Sequence, residues 1–281
     1  QKYGVWNGAY IMGHGNPNLR WQKVYQWNIG LDLSILDGRI SAAVDVYNKF
    51  TRDLLSRRDL QASTGFTSYT ENIGEISNKG VETMVSAYII RNLEKRLIWS
   101  LTGRVAYNRN RIEKLSDALK KDTEEAMKQN IEINSLLFEG DPTNAIYAVR
   151  SLGIDPSTGN ELYLDRNGNI TETWNVADKV FLGTYDPKFR GNISSLFQWR
   201  GLSLNLAFGY HFGGYQYNST LLSKVEINRN MISAGNVDRR VYADRWQKPG
   251  DVKFFKKIDD KSTKATSRFV MKDNVFEFQN I

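Results

Sequence analysis

The stretch that decides the fold is Trp27-Asn28-Ile29-Gly30-Leu31-Asp32-Leu33-Ser34-Ile35, continued after Asp37-Gly38 by Ile40-Ser41-Ala42-Ala43-Val44-Asp45-Val46-Tyr47. Every odd position of the first run is apolar and every even one is polar or glycine. In the second run Ile40, Ala42, Val44 and Val46 carry the apolar parity. A period of two gives a strand with two unlike faces. An Asp-Gly pair between two such runs is a hairpin signal, because both residues tolerate positive φ.

The same pattern extends outward. Val81, Val85, Ala87 and Ile89 face Leu97, Trp99, Leu101, Val105 and Tyr107 across 91–96, and Ile193, Phe197 and Trp199 face Leu202 to Phe212 across Arg200-Gly201. A last strand is expected near Asp273. Residues 201–223 carry no charge, yet Ser203, Asn205, Ala207, Gly209 and His211 give them a second face, as a strand has and a membrane helix does not. All five prolines fall outside the expected strands, where a missing N–H breaks no ladder.

Connections alternate between short turns (37–38, 91–96, 200–201) and long links (9–20, 53–74, 113–188, 214–271), so every long loop lies at one end. Outer-membrane barrels sort their loops in this way. The charges inside strand cores, Asp32, Asp45, Glu82 and Arg104, all take the parity opposite the aliphatic one. A lipid-facing basic residue costs roughly 2–4 kcal/mol at the midplane, whereas a lumen-facing one stays hydrated. Met84, Ile98 and Leu196 are apolar exceptions on the polar parity. The fold class is therefore all-β: an antiparallel transmembrane β-barrel, present here as about eight strands with long extracellular loops. The competing reading is a soluble extracellular β-sandwich that binds glycans, with the aliphatic parity as its packed core.

Composition narrows the rest. The 281 residues carry a net charge of +7, spread without a basic run that would mark a nucleic-acid arm. There is no cysteine, which removes disulfide scaffolds, thiol catalysis and Cys-ligated zinc. The opening Gln1-Lys2-Tyr3-Gly4, without an initiator Met or an apolar leader, reads as the middle of a longer chain. The histidines are His14 and His211, neither inside a catalytic motif, and no phosphate loop or metalloprotease helix occurs. Glu124-Glu125 reads as a solvated helix face. No enzyme, cofactor or metal role is expected.

In the long loops, Ile112, Leu115 and Leu119 share one helical face and predict a rim helix. Residues 153–159 read as a turn. Asp165, Asn167 and Asn169 have the spacing that opens a calcium loop, but Val176 stands where its bidentate Glu belongs. Asn167-Gly168 reads instead as a small hairpin. Trp174, Tyr185, Tyr215 and Tyr217 are candidate platforms for a sugar ring or a partner protein, or ordinary belt and loop-core aromatics.

Ordered motifs then point to a family. Gly15-Asn16-Pro17-Asn18-Leu19-Arg20-Trp21, Asn28-Ile29-Gly30-Leu31-Asp32 and Asp45-Val46-Tyr47-Asn48-Lys49-Phe50-Thr51-Arg52-Asp53-Leu54-Leu55 open the series. Thr64-Gly65-Phe66, Asn72-Ile73-Gly74-Glu75, Asn78-Lys79-Gly80-Val81-Glu82, Arg245-Trp246-Gln247-Lys248-Pro249-Gly250-Asp251 and Ser267-Arg268-Phe269-Val270 complete it. Together they resemble the SusC/RagA family of TonB-dependent outer-membrane transporters, with Gln22 where that family has Glu. The resemblance implies a 22-stranded barrel with a plugged lumen, of which residues 1–281 would be an internal piece lacking the plug and the closing strands. It also implies energised import of oligosaccharides or peptides across the cell outer membrane. TonB would act through the missing N-terminal part, and a SusD-like lipoprotein would close the mouth. The expected lumen-facing residues are Asp32, Asp45, Glu82, Arg104 and His211. Loops 113–188 and 214–271 are expected to meet lipoprotein and substrate.

Overall fold

The computed structural model describes residues 2–3, 6–7, 15–60, 62–132, 136–259 and 263–280. His14 lies outside them. Two-residue strands β1 (Lys2–Tyr3) and β2 (Trp6–Asn7) pair with each other. The main sheet is an antiparallel meander of seven strands: β3 (Lys23–Ile35), β4 (Ile40–Asp59), β5 (Ser68–Asn92), β6 (Leu97–Leu115), β11 (Phe189–Trp199), β12 (Leu202–Tyr217) and β13 (Val270–Asn280). Each strand pairs with its sequence neighbour in this set.

The hairpins form where turn chemistry places them. Ile35 pairs with Ile40 around a turn in which Leu36, Asp37 and Gly38 all take positive φ. Trp199 pairs with Leu202 across Arg200 (φ 45°) and Gly201 (φ 96°), the double positive φ of a tight hairpin. At the other end the strands run further than their apolar alternation does. β4 and β5 reach Asp59 and Ser68, so the 53–74 link shrinks to residues 60–67. β4 passes through a bulge at Arg52–Asp53, with Asp53 at φ 50°. Asn72 closes that site: its Nδ2 donates to the carbonyls of Asp53 and Arg20, and its Oδ1 accepts from the Arg20 amide. The Asn-Pro-Asn stretch is thereby fastened to the sheet. Gln22 Oε1 accepts the Leu55 amide, a bond a glutamate could equally make.

Among the described residues, no second layer covers the apolar face. Trp27, Ile29, Leu31 and Phe276 are 50%, 68%, 57% and 60% exposed, and Trp99, Leu101 and Phe208 remain partly exposed. This removes the packed core on which the β-sandwich alternative rests. A row of side chains runs straight across six strands, Ile29–Val46–Val81–Tyr107–Phe189–Phe212. From Leu97 to Tyr107, β6 covers about 34 Å along its length, or about 26 Å along a membrane normal at a tilt of about 40°. That matches the apolar band of an outer-membrane barrel. Trp99 Nε1 donates to Ser195 Oγ at 3.0 Å on this face, so an indole N–H that hydrocarbon could not satisfy has a partner.

The buried apolar residues are elsewhere. Ile112, Leu115, Ala126, Ile146, Ala148, Val149, Val176, Val225, Ile227, Val241, Phe255 and Phe269 belong to the long loops or to the strand ends beneath them. After β6 the chain forms α1 (Asp117–Lys128), then β7 (Ala145–Ile154), β8 (Glu161–Leu164), β9 (Ile170–Thr171) and β10 (Lys179–Thr184), in sheet order β10-β7-β8-β9. The connection from β12 to β13 carries α2 (Arg229–Ala234) and α3 (Arg240–Ala243). Helix α1 starts later than its apolar spacing predicts. Ser116 caps it by accepting the Leu119 amide, while Ile112 and Leu115 stay in β6, because the returning 140–141 segment pairs with Ile112. The expected hairpin at Asn167-Gly168 forms between β8 and β9. Asp165 accepts from the amides of Asn167 and Asn169 and from Asn169 Nδ2, so its carboxylate is spent on the turn.

Candidate functional site

On the polar face the sheet curves around a cavity of about 880 Å³. The register explains its lining. Gly30 pairs with Asp45, Asp45 with Glu82, Glu82 with Ala106, and Met84 with Arg104; Arg104 then pairs with Asn192, and Asn192 with Gly209. Residues directly opposite in an antiparallel pair share a face. Asp45, Glu82, Arg104 and His211 therefore converge, joined by Arg190, Asp273 and Glu277, which sequence periodicity did not single out. Arg190 was legible, since it shares parity with Asn192. Asp273 was not, because its partner His211 lies 62 residues away and a bulge between His211 and Gly214 brings them together. Asp32 pairs with Ala43 on the same face but lies outside the cavity, towards the short turns.

Glycines make this wall passable for larger side chains. A Cβ on Gly30 would sit 2.7 Å from Asp45 Oδ1, and one on Gly80 would strike the Tyr47 ring and lie 2.6 Å from the Tyr107 carbonyl. Tyr47 instead lies across Gly80 and donates to Asn108 Oδ1 at 3.2 Å. His211 Nε2 meets Asp273 Oδ2 at 3.2 Å. Such a pair could orient a general base, yet no serine lines the cavity beside it among the described residues. The acidic Asp45 and Glu82 are directly opposed in the register, and Arg104 and Arg190 stand across the same cavity.

The loop aromatics divide. Tyr185 and Tyr217 line a second cavity of about 440 Å³ under the loops, with Glu132, Asn144, Tyr147 and Lys179. Burial pushes the Tyr217 phenol up to about 12. Trp174 is instead a loop-core residue: its indole donates to the Ala265 carbonyl at 3.0 Å, with Lys179 and Lys264 on its ring and Glu132 bridging both ammonium groups. Tyr215 packs on Gly183.

The two long connections are sewn together. Arg268 donates to both carboxylates of Glu161 and Glu226 at 2.6–3.1 Å, with the three side chains only 6%, 1% and 0% exposed. Although burial opposes its charge, these carboxylates hold the guanidinium protonated. Trp246 Nε1 donates to the Pro156 carbonyl, the Trp246 ring fills the space above Gly159, and the Lys257 amide donates to the Gly159 carbonyl. Arg245 is buried beneath, donating to the carbonyls of Val225, Ile227 and Lys256.

The family model "TonB dependent receptor-like, beta-barrel" matches residues 3–228. TonB-dependent receptor P3 of Formosa agariphila is 29% identical over 234 residues, covering 77% of this chain and 23% of that protein. TonB-dependent receptor SusC of Bacteroides thetaiotaomicron is 26% identical over 234 residues, covering 79% and 22%. The chain thus spans about a quarter of the length of these relatives. Among solved structures, the RagAB peptide importer in its "closed-closed" state superposes with a TM-score of 0.76 at 24% identity, over 96% of this chain and 29% of that one. At that identity the likeness speaks for the fold. The chain belongs to the TonB-dependent receptor-like β-barrel family, and its seven-stranded sheet is a stretch of the wall of such a barrel.

Proposed function

We propose that this chain is part of the wall and extracellular loop cap of an outer-membrane importer that takes up oligosaccharides or peptides, is energised through TonB, and works with a SusD-like surface lipoprotein. The carrying observation is the two-faced sheet. One face is an exposed apolar band of membrane height, and the other lines a charged cavity. In this reading Asp45, Glu82, Arg104 and His211 face the lumen, and Asp32 faces it nearer the short-turn end. Tyr185 and Tyr217 offer aromatic surface to cargo below the cap, while Trp174 and Tyr215 hold the cap's shape. The likeness to a peptide importer supports the peptide class, while the motif resemblance keeps oligosaccharides beside it.

Uptake of labelled oligosaccharides and peptides by cells expressing the whole receptor tests this. Uptake of one class that stops with an uncoupler or without TonB is the expected result. Uptake indifferent to both would make the barrel a passive pore.

A further inference from the structure

We propose that Lys79 and Arg109, with Arg111 beside them, form a site on the outer wall for the phosphate of a lipid head group in the leaflet on the long-loop side. The starting observation is electrostatic. Lys79 and Arg109 are directly opposed in the β5–β6 register, and their parity is that of Val81 and Tyr107, away from the lumen. Like charges in that relation repel. Both are exposed, and neither has a carboxylate partner among the described residues. The third cation, Arg111, reaches Glu113 only at 3.8 Å.

Their depth identifies the occupant. The row Ile29–Val46–Val81–Tyr107–Phe189–Phe212 is the top of the apolar band. The next row is Trp27–Asn48–Lys79–Arg109. One strand step above hydrocarbon is the head-group layer, where tryptophan concentrates and lipid phosphates lie. A phosphate between an ammonium and a planar guanidinium accepts charge-assisted hydrogen bonds from both and turns their repulsion into a clamp. Among the described residues, the carboxylate near this group is Glu113, which stands 3.8 Å from Arg111 and pairs with neither Lys79 nor Arg109.

The proposal rests on the outer-membrane reading, and its test separates the two. The full receptor and its K79Q/R109Q variant would be placed in neutral detergent, in phosphatidylcholine nanodiscs, and in nanodiscs doped with lipid A or dephosphorylated lipid A. In detergent the variant should melt at or above the wild-type temperature, because a repulsion is gone. With lipid A the order should reverse, and co-purified lipid A should fall about tenfold. Equal retention of lipid A by both proteins, or of dephosphorylated lipid A by the wild type, overturns the site. Loss of the effect with inorganic phosphate alone would make it a free-anion site and overturn the lipid assignment. A receptor that needs neither detergent nor lipid would instead overturn the membrane reading.

Discussion

Tyr47 lies across Gly80 because a strand glycine leaves a gap that an aromatic neighbour can fill. Gly80→Val would drive two methyl groups into that ring and the Tyr107 carbonyl. The expected cost is about 1–3 kcal/mol, read as a lower Tm of the receptor in detergent. Arg268 supports a larger prediction. Arg268→Met leaves two buried carboxylates facing each other, at a cost of about 3–5 kcal/mol. Protease cuts in 155–165 and 245–258 should appear together, with the sheet still folded. Removing the charges jointly, as R268M/E161L/E226L, should restore resistance, because an apolar replacement leaves no unpaired ion. Of these residues, Tyr47, Gly80 and Arg268 were visible within sequence motifs. The pairing of Arg268 with two glutamates 107 and 42 residues away was not, since nothing local encodes contacts between loops.

Along a strand, parity decides how a substitution is received. Val85→Arg on the apolar face should cost about 2–4 kcal/mol and impair insertion into lipid, whereas Ser86→Arg on the opposite face should be nearly neutral. Comparing folding yields into vesicles would separate them. The loop turns respond to pH. Asp155 is held below its ordinary value by hydrogen bonds from Ser157 and Thr158, Asp165 by those from Asn169 and Asn167, and Asp238 at about 2 by Arg240. A depressed carboxyl stabilises the fold above its unfolded value, near 4, and loses that contribution as pH falls through the folded value. Pepsin should therefore cut the 155–169 turns faster at pH 2 than at pH 4. A flat rate across that range would contradict the role given to these aspartates. Alternation exposed the hairpins at this scale, because period two depends on the strand alone. It gave the strand tops and the start of α1 less well. There a bulge at Glu113 resets the parity, so Ile112 opposite Ile76 and Leu115 opposite Gly74 are buried on one face although three residues apart.

Over the whole molecule, the hydrophobic core sits in the cap while the wall keeps its apolar side outward. The chain contacts two solvents. A receptor containing this wall should require detergent or lipid to remain dispersed, and sedimentation with and without detergent would show it; a monodisperse species in plain buffer would not fit a lipid-facing band. Loop sorting and charge parity made the barrel legible from sequence. Cavity membership was legible only in part, because curvature chooses which polar positions converge and Asp32 fell beyond them.

The seam between the two long connections has a consequence for engineering and for evolution. Arg268, Trp246 and Lys257 sit in one connection, and Glu161, Pro156 and Gly159 in the other. A single connection transplanted from a relative arrives with half of a lock whose key remains behind. The two connections are therefore a matched pair of cassettes, and chimaeras that exchange both should survive where single exchanges misfold.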